Sequence, residues 1–315
     1  MSARIEPGSE LEPGAAPVAV TVLAEPVVLE GGVVLATVQT RALRDVVLQG
    51  GEVALTAALA YKYVTGGIFG ATYSSVARRT LEVSVQALPA PTLLRAGREV
   101  EHQVLLQVPA EGLPTTDCEL VSIEWTVRAR VKYEGRGRVD APPVAIVVVS
   151  EGLPDGPPAP ARPDGAVRLE GLAPRRIRAG SALTGEVVVA RRHVGGVRAV
   201  RVELVLDQMV PHGPMLGDDP ARNPYVAEKV AELVVVRLRL VGGAAEAPVP
   251  AAVGEDLRVP FRLDVPALPA PTLVTADFTV RWLVRVVVDR RVAGLPRPLR
   301  TEVEVIGSTV PGAGP

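Results

Sequence analysis

Hydrophobic and polar residues alternate with a period of two along most of this chain. After Glu124, one side of the segment carries Trp125, Val127, Ala129 and Val131, while the other side carries mainly charged residues. Residues 200–207, 232–241 and 281–289 alternate in the same way. Because successive side chains of a strand point to opposite faces, the pattern predicts half-buried antiparallel strands. We therefore predict an all-β protein, with short helical turns considered only at 94–106 and 221–233.

An internal repeat relates the two halves of the chain. Residues 104–132 align with residues 261–289 without a gap, and ten of the 29 aligned positions are identical. Trp125 and Trp282, the only two tryptophans, fall on each other and set the offset at 157 residues. The heptapeptide ALPAPTL at 87–93 and 267–273 gives an offset of 180 instead, but its flanks do not align. We take 157 residues as the period and expect the heptapeptide to be a convergent Pro-rich turn.

Composition marks the boundaries between the halves. Residues 151–165 hold five prolines and three glycines, a density that neither a strand nor a helix tolerates. Each half is long enough for a two-sheet sandwich of about seven strands, and each is expected to open with a Gly-marked hairpin, at 26–40 and at 174–190. The predicted segments are a mobile N-terminus at 1–17, a β-sandwich at 18–150, a linker at 151–165, a second β-sandwich at 166–307 and a flexible tail at 308–315.

Three features of the sequence resemble the arrestin-like protein family. They are the opening AGSALTGEVVV followed by VRAVRVELVL, the later FRLDVPALPAPTL with FTVRWLVRVVVD, and the return of that later element at 104–132. The resemblance covers most of residues 18–307 and is nearest to bacterial sporulation-control-type members. It implies two tandem immunoglobulin-like antiparallel β-sandwiches and a non-enzymatic adaptor or regulatory scaffold that binds protein partners. The clathrin and adaptor motifs of receptor arrestins and their buried charged cluster have no counterpart here, so receptor desensitisation is not implied.

Composition and charge narrow the classes of function. The net charge is −1 and aromatic residues make up 3% of the chain, so no affinity for nucleic acid is indicated. No apolar run approaches the 18 or so residues of a membrane helix. The N-terminus also lacks a basic and then apolar leader, and we expect a cytoplasmic protein.

The charge is divided unevenly between the halves. Residues 1–164 carry −5 and residues 165–315 carry +4. Two interpretations stay open. The charges are either ordinary solvated strand faces, or the basic half meets an anionic partner, an anionic membrane surface or the acidic half.

Residues with chemistry of their own form no catalytic or metal-binding pattern. Cys118 is the single cysteine, which excludes an intrachain disulfide, and its apolar surroundings favour core or edge filling over a nucleophile. His102, His193 and His212 have no neighbours at ligand spacing, and no P-loop, G-x-S-x-G or H-E-x-x-H motif occurs. We expect no enzymatic activity, no cofactor and no metal ion.

Two loops are the candidate partner-binding sites. Large apolar residues stand among glycines at 64–75, as a loop that inserts into a partner requires, and a glycine-bulged strand is the alternative. A second, longer loop is expected at 207–225. The candidate side chains are Ile68, Phe69 and Tyr73 in the first loop and Met209, Met215 and Leu216 in the second.

Arginines of the last strands are the candidate anion-steering residues. Arg281, Arg285, Arg290 and Arg291 contribute to a local charge of +5 over residues 281–300. The guanidinium fork suits phosphate and carboxylate groups, although alternating arginines are also typical of a solvated strand face. A structural protein that self-assembles into a homo-oligomer through exposed edges is the alternative to the adaptor.

Overall fold

The structure is a computed structural model that describes residues 16–66, 72–89, 92–111, 113–153, 165–210, 225–237 and 255–311. In its N-terminal part the strands are β1 (Val18–Ala24), β2 (Val27–Leu29), β3 (Val33–Ala42), β4 (Val46–Gly66), β5 (Thr72–Leu88), β6 (Thr92–Leu94), β7 (Glu99–Gln107), β8 (Thr116–Asp117), β9 (Val121–Tyr133), β10 (Gly137–Asp140) and β11 (Val144–Val149). In its C-terminal part they are β12 (Val167–Ala173), β13 (Arg176–Arg178), β14 (Ala182–Val189), β15 (Val197–Val210), β16 (Tyr225–Arg237), β17 (Leu257–Asp264), β18 (Leu273–Val274), β19 (Thr279–Val292), β20 (Leu295–Pro296) and β21 (Leu299–Ser308). Single 3-10 turns lie at Glu134–Arg136 and Arg191–His193.

The same strand order occurs twice. The first part has a three-stranded sheet β1-β3-β7 and a larger sheet whose main path is β2-β11-β9-β4-β5. The second part has β12-β14-β17 and β13-β21-β19-β15-β16 in the corresponding order. The predicted all-β class is confirmed, and the sequence repeat is accompanied by a repeat of strand order.

Alternating side chains build the core. In β9 the residues of one face, including Ile123, Trp125 and Val127, are buried, while Glu124 and Arg128 on the other face are exposed. β17 shows the same alternation without exception along its eight residues. Burying a large aliphatic side chain stabilises the folded state by about 1.5–3 kcal/mol, so these apolar rows determine which face of each strand points into the core.

Two compact units make up the chain. The first comprises Met1–Ala58, Thr80–Leu113 and Glu124–Val148, and the second comprises Leu59–Arg79, Pro114–Ile123 and Val149–Pro315. Most of the predicted linker, residues 154–164, lies outside the described residues. The contiguous domain boundaries taken from the sequence stay predictions.

The predicted opening hairpins do not form. β2 lies beside β11 in the larger sheet, whereas β3 lies between β1 and β7 in the other sheet. β13 and β14 are divided between two sheets in the same way. Gly31 has a φ of +77° and Gly180 one of +76°, which lets the chain turn from one sheet to the other. These glycines do mark turns, but each turn connects two sheets and not two strands of one hairpin.

Three other local predictions were wrong. No helix forms at 94–106, where the end of β6, a turn at 95–98 and β7 follow one another, nor in the described part of 221–233, which lies in β16; β7 pairs along its length with β3, and β16 pairs with β15. The flexible tail expected from residue 308 does not begin there, since Ser308 ends β21 and is buried. The backbone N–H of Thr309 also donates to the Ser150 carbonyl oxygen at 2.9 Å.

The two ALPAPTL copies occupy different places in the strand order. The first begins in β5 and ends in β6. The second lies after β17 and ends at the start of β18. With an offset of 157 residues the two copies do not align with each other, and their different places in the strand order agree with that offset.

Candidate functional site

The two predicted partner loops lie largely outside the described residues. β4 runs to Gly66 and β5 begins at Thr72, so Ile68 and Phe69 lie outside the described residues. Met215 and Leu216 lie in a second undescribed segment, between β15 and β16. The backbone of Tyr73 belongs to β5. The structure therefore leaves the partner-binding role of these residues as a prediction.

The second predicted loop begins later in the chain than expected. β15 continues to Val210, and Met209 pairs with Val226 on one side and with Thr279 on the other. Met209 is a half-buried strand residue, not a loop residue. Pairing with two neighbouring strands satisfies the backbone groups of this stretch, which outweighs its loop-like composition.

Arg285 stands at the centre of an ion-pair cluster on the face of the β15-β19-β21 sheet. Its Nε donates to Glu302 Oε1 at 2.6 Å, and its Nη2 lies 2.7 Å from Glu228 Oε1. Glu203 Oε2 lies 3.9 Å from Nη1 and sits directly across the strand pair. Burial lowers the pKa of the guanidinium, but its hydrogen bonds to Glu228 and Glu302 and the negative charges of those carboxylates raise the pKa by more.

Of the two interpretations of these arginines, the solvated strand face does not hold for Arg285. Arg285 is only 4% exposed, and it already lies within ion-pair distance of three carboxylates. Around Arg285 the outer face of β19 is covered by the side chains of these acidic residues. The guanidinium of Arg285 therefore pairs with carboxylates of neighbouring strands and is not exposed to an anion in solvent.

The other three predicted arginines have different environments. Arg281 lies across from Asp207; burial raises the pKa of that carboxyl group, and Arg281 partly offsets the rise. Arg290 Nη1 lies 3.0 Å from His193 Nδ1 and donates to the His193 carbonyl oxygen at 3.3 Å. Arg291 is exposed.

Arg291 belongs to a basic hairpin at the end of β19. β19 and β20 pair through Val292 and Leu295, and the two residues between them have positive φ, 52° for Ala293 and 80° for Gly294. Two consecutive positive φ values are typical of a type I′ turn. Arg297 follows β20, and its N–H donates to the Arg290 carbonyl oxygen at 3.0 Å. The hairpin presents two exposed arginines beside two exposed apolar residues.

A polar groove of about 450 Å³ lies on the sheet of the first unit. Arg130 crosses it, at 3.2 Å from Glu52 and 2.6 Å from Asp140. Arg128 also lines the groove; it aligns with Arg285 in the repeat, yet it is exposed and makes no ion pair within the described ranges.

Cys118 lies in an environment that favours the neutral thiol. Burial, together with the nearby Asp117, raises the pKa of Cys118 to about 12. The thiolate is the nucleophilic form, and its population is small at neutral pH with such a pKa.

Comparison with protein-family models and with curated protein sequences gave no match to this chain. In the part of the chain that the structure describes, no three His, Cys, Asp or Glu side chains are grouped as metal ligands. Nor does any helix there have the length and apolarity of a membrane crossing.

Proposed function

We propose that this chain is a non-enzymatic adaptor or regulatory scaffold of arrestin-like architecture that binds protein partners through loops and sheet edges. The repeated strand order carries the proposal, because both parts contain the same three-strand sheet and the same five-strand path. Two consecutive sandwiches of one topology are what the resemblance to sporulation-control-type arrestin-like proteins implies. A framework of this kind holds surface segments at defined positions, as partner binding requires.

The edge strand β16 supports partner binding in the second unit. It ends the path of its sheet, with β15 as its neighbour on that path. An edge strand presents backbone donors and acceptors that another extended segment can pair with. Its exposed apolar residues would contact the side chains of such a segment; they are Val226, Val230, Leu233 and Val235.

The proposal is tested by affinity capture from the native host followed by binary binding with purified proteins. Three baits are compared: wild type, Ile68→Ser/Phe69→Ser in the predicted loop, and Val230→Lys/Val235→Lys on the β16 edge. We expect one host protein to bind purified wild type and to lose at least about tenfold in affinity with one of the two variants, as loss of an apolar anchor produces. Arg128→Gln is the control, since it changes an exposed residue elsewhere.

Two outcomes would contradict the adaptor. One is that no captured protein forms a binary complex with purified wild type. The other is that every captured protein binds all variants equally, which would mean that neither the loop nor the edge is used. Growth of the purified chain into large homopolymers that exclude every partner would instead favour the self-assembling structural protein.

A further inference from the structure

An apolar patch lies on the outer face of the β1-β3-β7 sheet in the first unit. It consists of Leu23, Val33, Leu35 and Leu105, which are 52%, 42%, 38% and 63% exposed. Leu35 pairs directly with Leu105, and Val33 is two residues earlier on the same face. Leu23 pairs with Thr37 and is therefore diagonal to Leu35. Directly opposite and diagonal positions on one face are within side-chain reach, so the four residues form one surface.

The fold does not require this face to be apolar, as the equivalent sheet of the repeat shows. Leu105 aligns with Arg262, and Thr184 pairs with Arg262 as Leu35 pairs with Leu105. On β12-β14-β17 the outer face is covered by ion pairs, with Arg258 Nη1 at 2.6 Å from Glu186 and at 3.0 Å from Glu170. The apolar patch is therefore a property of the first sheet alone, which marks it as a contact surface.

Acidic residues accompany the patch at the end of β1, on β7 and in the loop after β7. Glu25 directly follows β1, Glu101 lies on the same face of β7 as Leu105, and Glu111 follows the loop whose Pro109 carbonyl oxygen accepts from Gly31 N–H at 3.1 Å. Arg41 is the only Lys or Arg in the three strands, and it pairs with Glu99 at the other end of the sheet. The patch therefore fits an apolar surface bordered by positive charge.

The basic hairpin of the second unit has these properties. Its tip carries Val292 and Leu295, which are 38% and 62% exposed. Arg291 and Arg297 flank them, are exposed, and make no ion pair within the described parts of the chain. Ala293 is the one non-glycine residue with positive φ among the described residues. An L-residue adopts this conformation at an energetic cost, and the pairing of β19 with β20 on either side holds the turn in it.

We propose that the chain self-associates head to tail, with the β19–β20 hairpin of one copy docked on the Leu23/Val33/Leu35/Leu105 patch of the next. Apolar groups meet apolar groups, while Arg291 and Arg297 face the acidic residues that accompany the patch. The segments of this chain that the structure does not describe are poorer occupants, because none has more basic than acidic residues. The contact joins two different surfaces, so it is heterologous and can continue from copy to copy. This proposal goes beyond the adaptor function and does not depend on it.

The interface is small and charge-dependent, which sets the expected behaviour. A single hairpin on a four-residue patch is below the roughly 1,000 Å² of a stable interface, so association is weak and reversible. Exposed charge pairs are screened by salt, and the association weakens as ionic strength rises.

Sedimentation velocity and light scattering over a concentration series test the proposal. Wild type is expected to gain mass with concentration at low salt. Leu35→Thr/Leu105→Arg, which installs the residues found at the equivalent positions of the repeat, and Arg291→Glu/Arg297→Glu should each weaken association at least about tenfold. Arg128→Glu/Arg138→Glu is the matched control: it makes the same charge change on exposed residues of another sheet and should associate as wild type does.

Mixing two variants identifies the occupant. Glu101→Lys/Glu111→Lys places basic groups at the patch, and alone it should not associate with its own basic hairpin. Arg291→Glu/Arg297→Glu should also remain monomeric alone, but an equimolar mixture of the two should associate, since each hairpin then finds a patch of opposite charge. Circular dichroism and thermal melts confirm that every variant is folded.

The proposal would be overturned by a wild type that stays monomeric up to about 1 mM at low salt, a concentration that reveals even millimolar binding. It would also be overturned if the patch variants dissociate the assembly while the hairpin variants do not, because the patch would then meet itself. A mixture that fails to associate while both variants are folded would have the same consequence. None of these results bears on whether a separate host protein binds β16 or the predicted loops.

Discussion

The indole N–H of Trp282 donates to the carbonyl oxygen of Ala270 at 3.1 Å, and the same bond joins Trp125 to Leu113 at 2.7 Å. Both pairs are twelve residues apart and correspond under the offset of the repeat. Each tryptophan is buried, so its single donor requires a partner inside the fold. The repeated tryptophan therefore ties the Pro-rich loop before it to the core in both parts.

Close packing around Trp282 predicts that Gly307→Ala is destabilising. A Cβ at residue 307 would lie near Trp282 Cδ1, and the Gly307 N–H donates to Thr272 Oγ1 at 2.7 Å, which limits any shift of the backbone. Forcing an extra methyl group into a packed core costs about 1–3 kcal/mol. Urea unfolding followed by tryptophan fluorescence measures the loss. Gly195→Ala is the control, because a Cβ there meets no atom within 4 Å, and equal losses for the two variants would contradict the packing argument.

The two aligned arginines predict very different costs of truncation. Arg285→Ala removes a buried cation from between Glu203, Glu228 and Glu302 and should lower the free energy of unfolding by about 3–5 kcal/mol. Arg128→Ala removes an exposed side chain and should change it by no more than about 0.5 kcal/mol. Thermal and urea unfolding of the two variants give the comparison. A similar small effect at both positions would show that the Arg285 cluster is solvated.

We expect the carboxylate of Asp256 to stabilise the folded protein by an amount that depends on pH. Arg168 Nη2 donates to its carboxylate at 2.8 Å and the Arg191 N–H at 3.0 Å, and these bonds lower the pKa of Asp256. A group with a lowered folded pKa stabilises the protein above its unfolded value of about 3.9, and the contribution is lost as pH falls through the folded value. Asp256→Asn should therefore melt below wild type at pH 7, and the difference should shrink as the pH falls below about 4.

Melting temperatures measured across that pH range test the Asp256 prediction. Glu119→Gln is the control, because Glu119 is exposed and forms no ion pair within the described residues. If the melting temperature of Asp256→Asn stays below that of wild type by the same amount from neutral to acidic pH, the carboxylate charge is not the cause of the difference.

The thiol of Cys118 is expected to react slowly in the folded protein. With its pKa raised to about 12 by burial, iodoacetamide at pH 8 should modify it at least about 100-fold more slowly than in denaturing urea, where a free thiol has a pKa of about 8.5. Because the folded pKa exceeds the unfolded one, the thiol also lowers stability as pH rises above about 8.5. Cys118→Ser should remove that decline. Rapid alkylation of the folded chain would show that the thiol is accessible and ionised.

Alternation along single strands determined the class of the fold. The period of two in residues 124–132 and 281–289 identified β9 and β19 and most of their buried residues, because strand geometry alone places every second side chain on one face. The aligned tryptophans likewise revealed a repeat that the strand order matches. These signals are local, so the sequence contains them directly.

Tertiary structure decided what each strand meets. Arg128 and Arg285 are the same residue at aligned positions, yet one is exposed and the other buried, because Arg285 has Glu203, Glu228 and Glu302 around it. Those neighbours come from β15, β16 and β21, and strand pairing brings them together. The same holds for Leu35 and Leu105, whose patch exists only because β3 and β7 pair in one register. Alternation says which residues share a face of one strand, whereas the environment of that face depends on strands distant in the sequence.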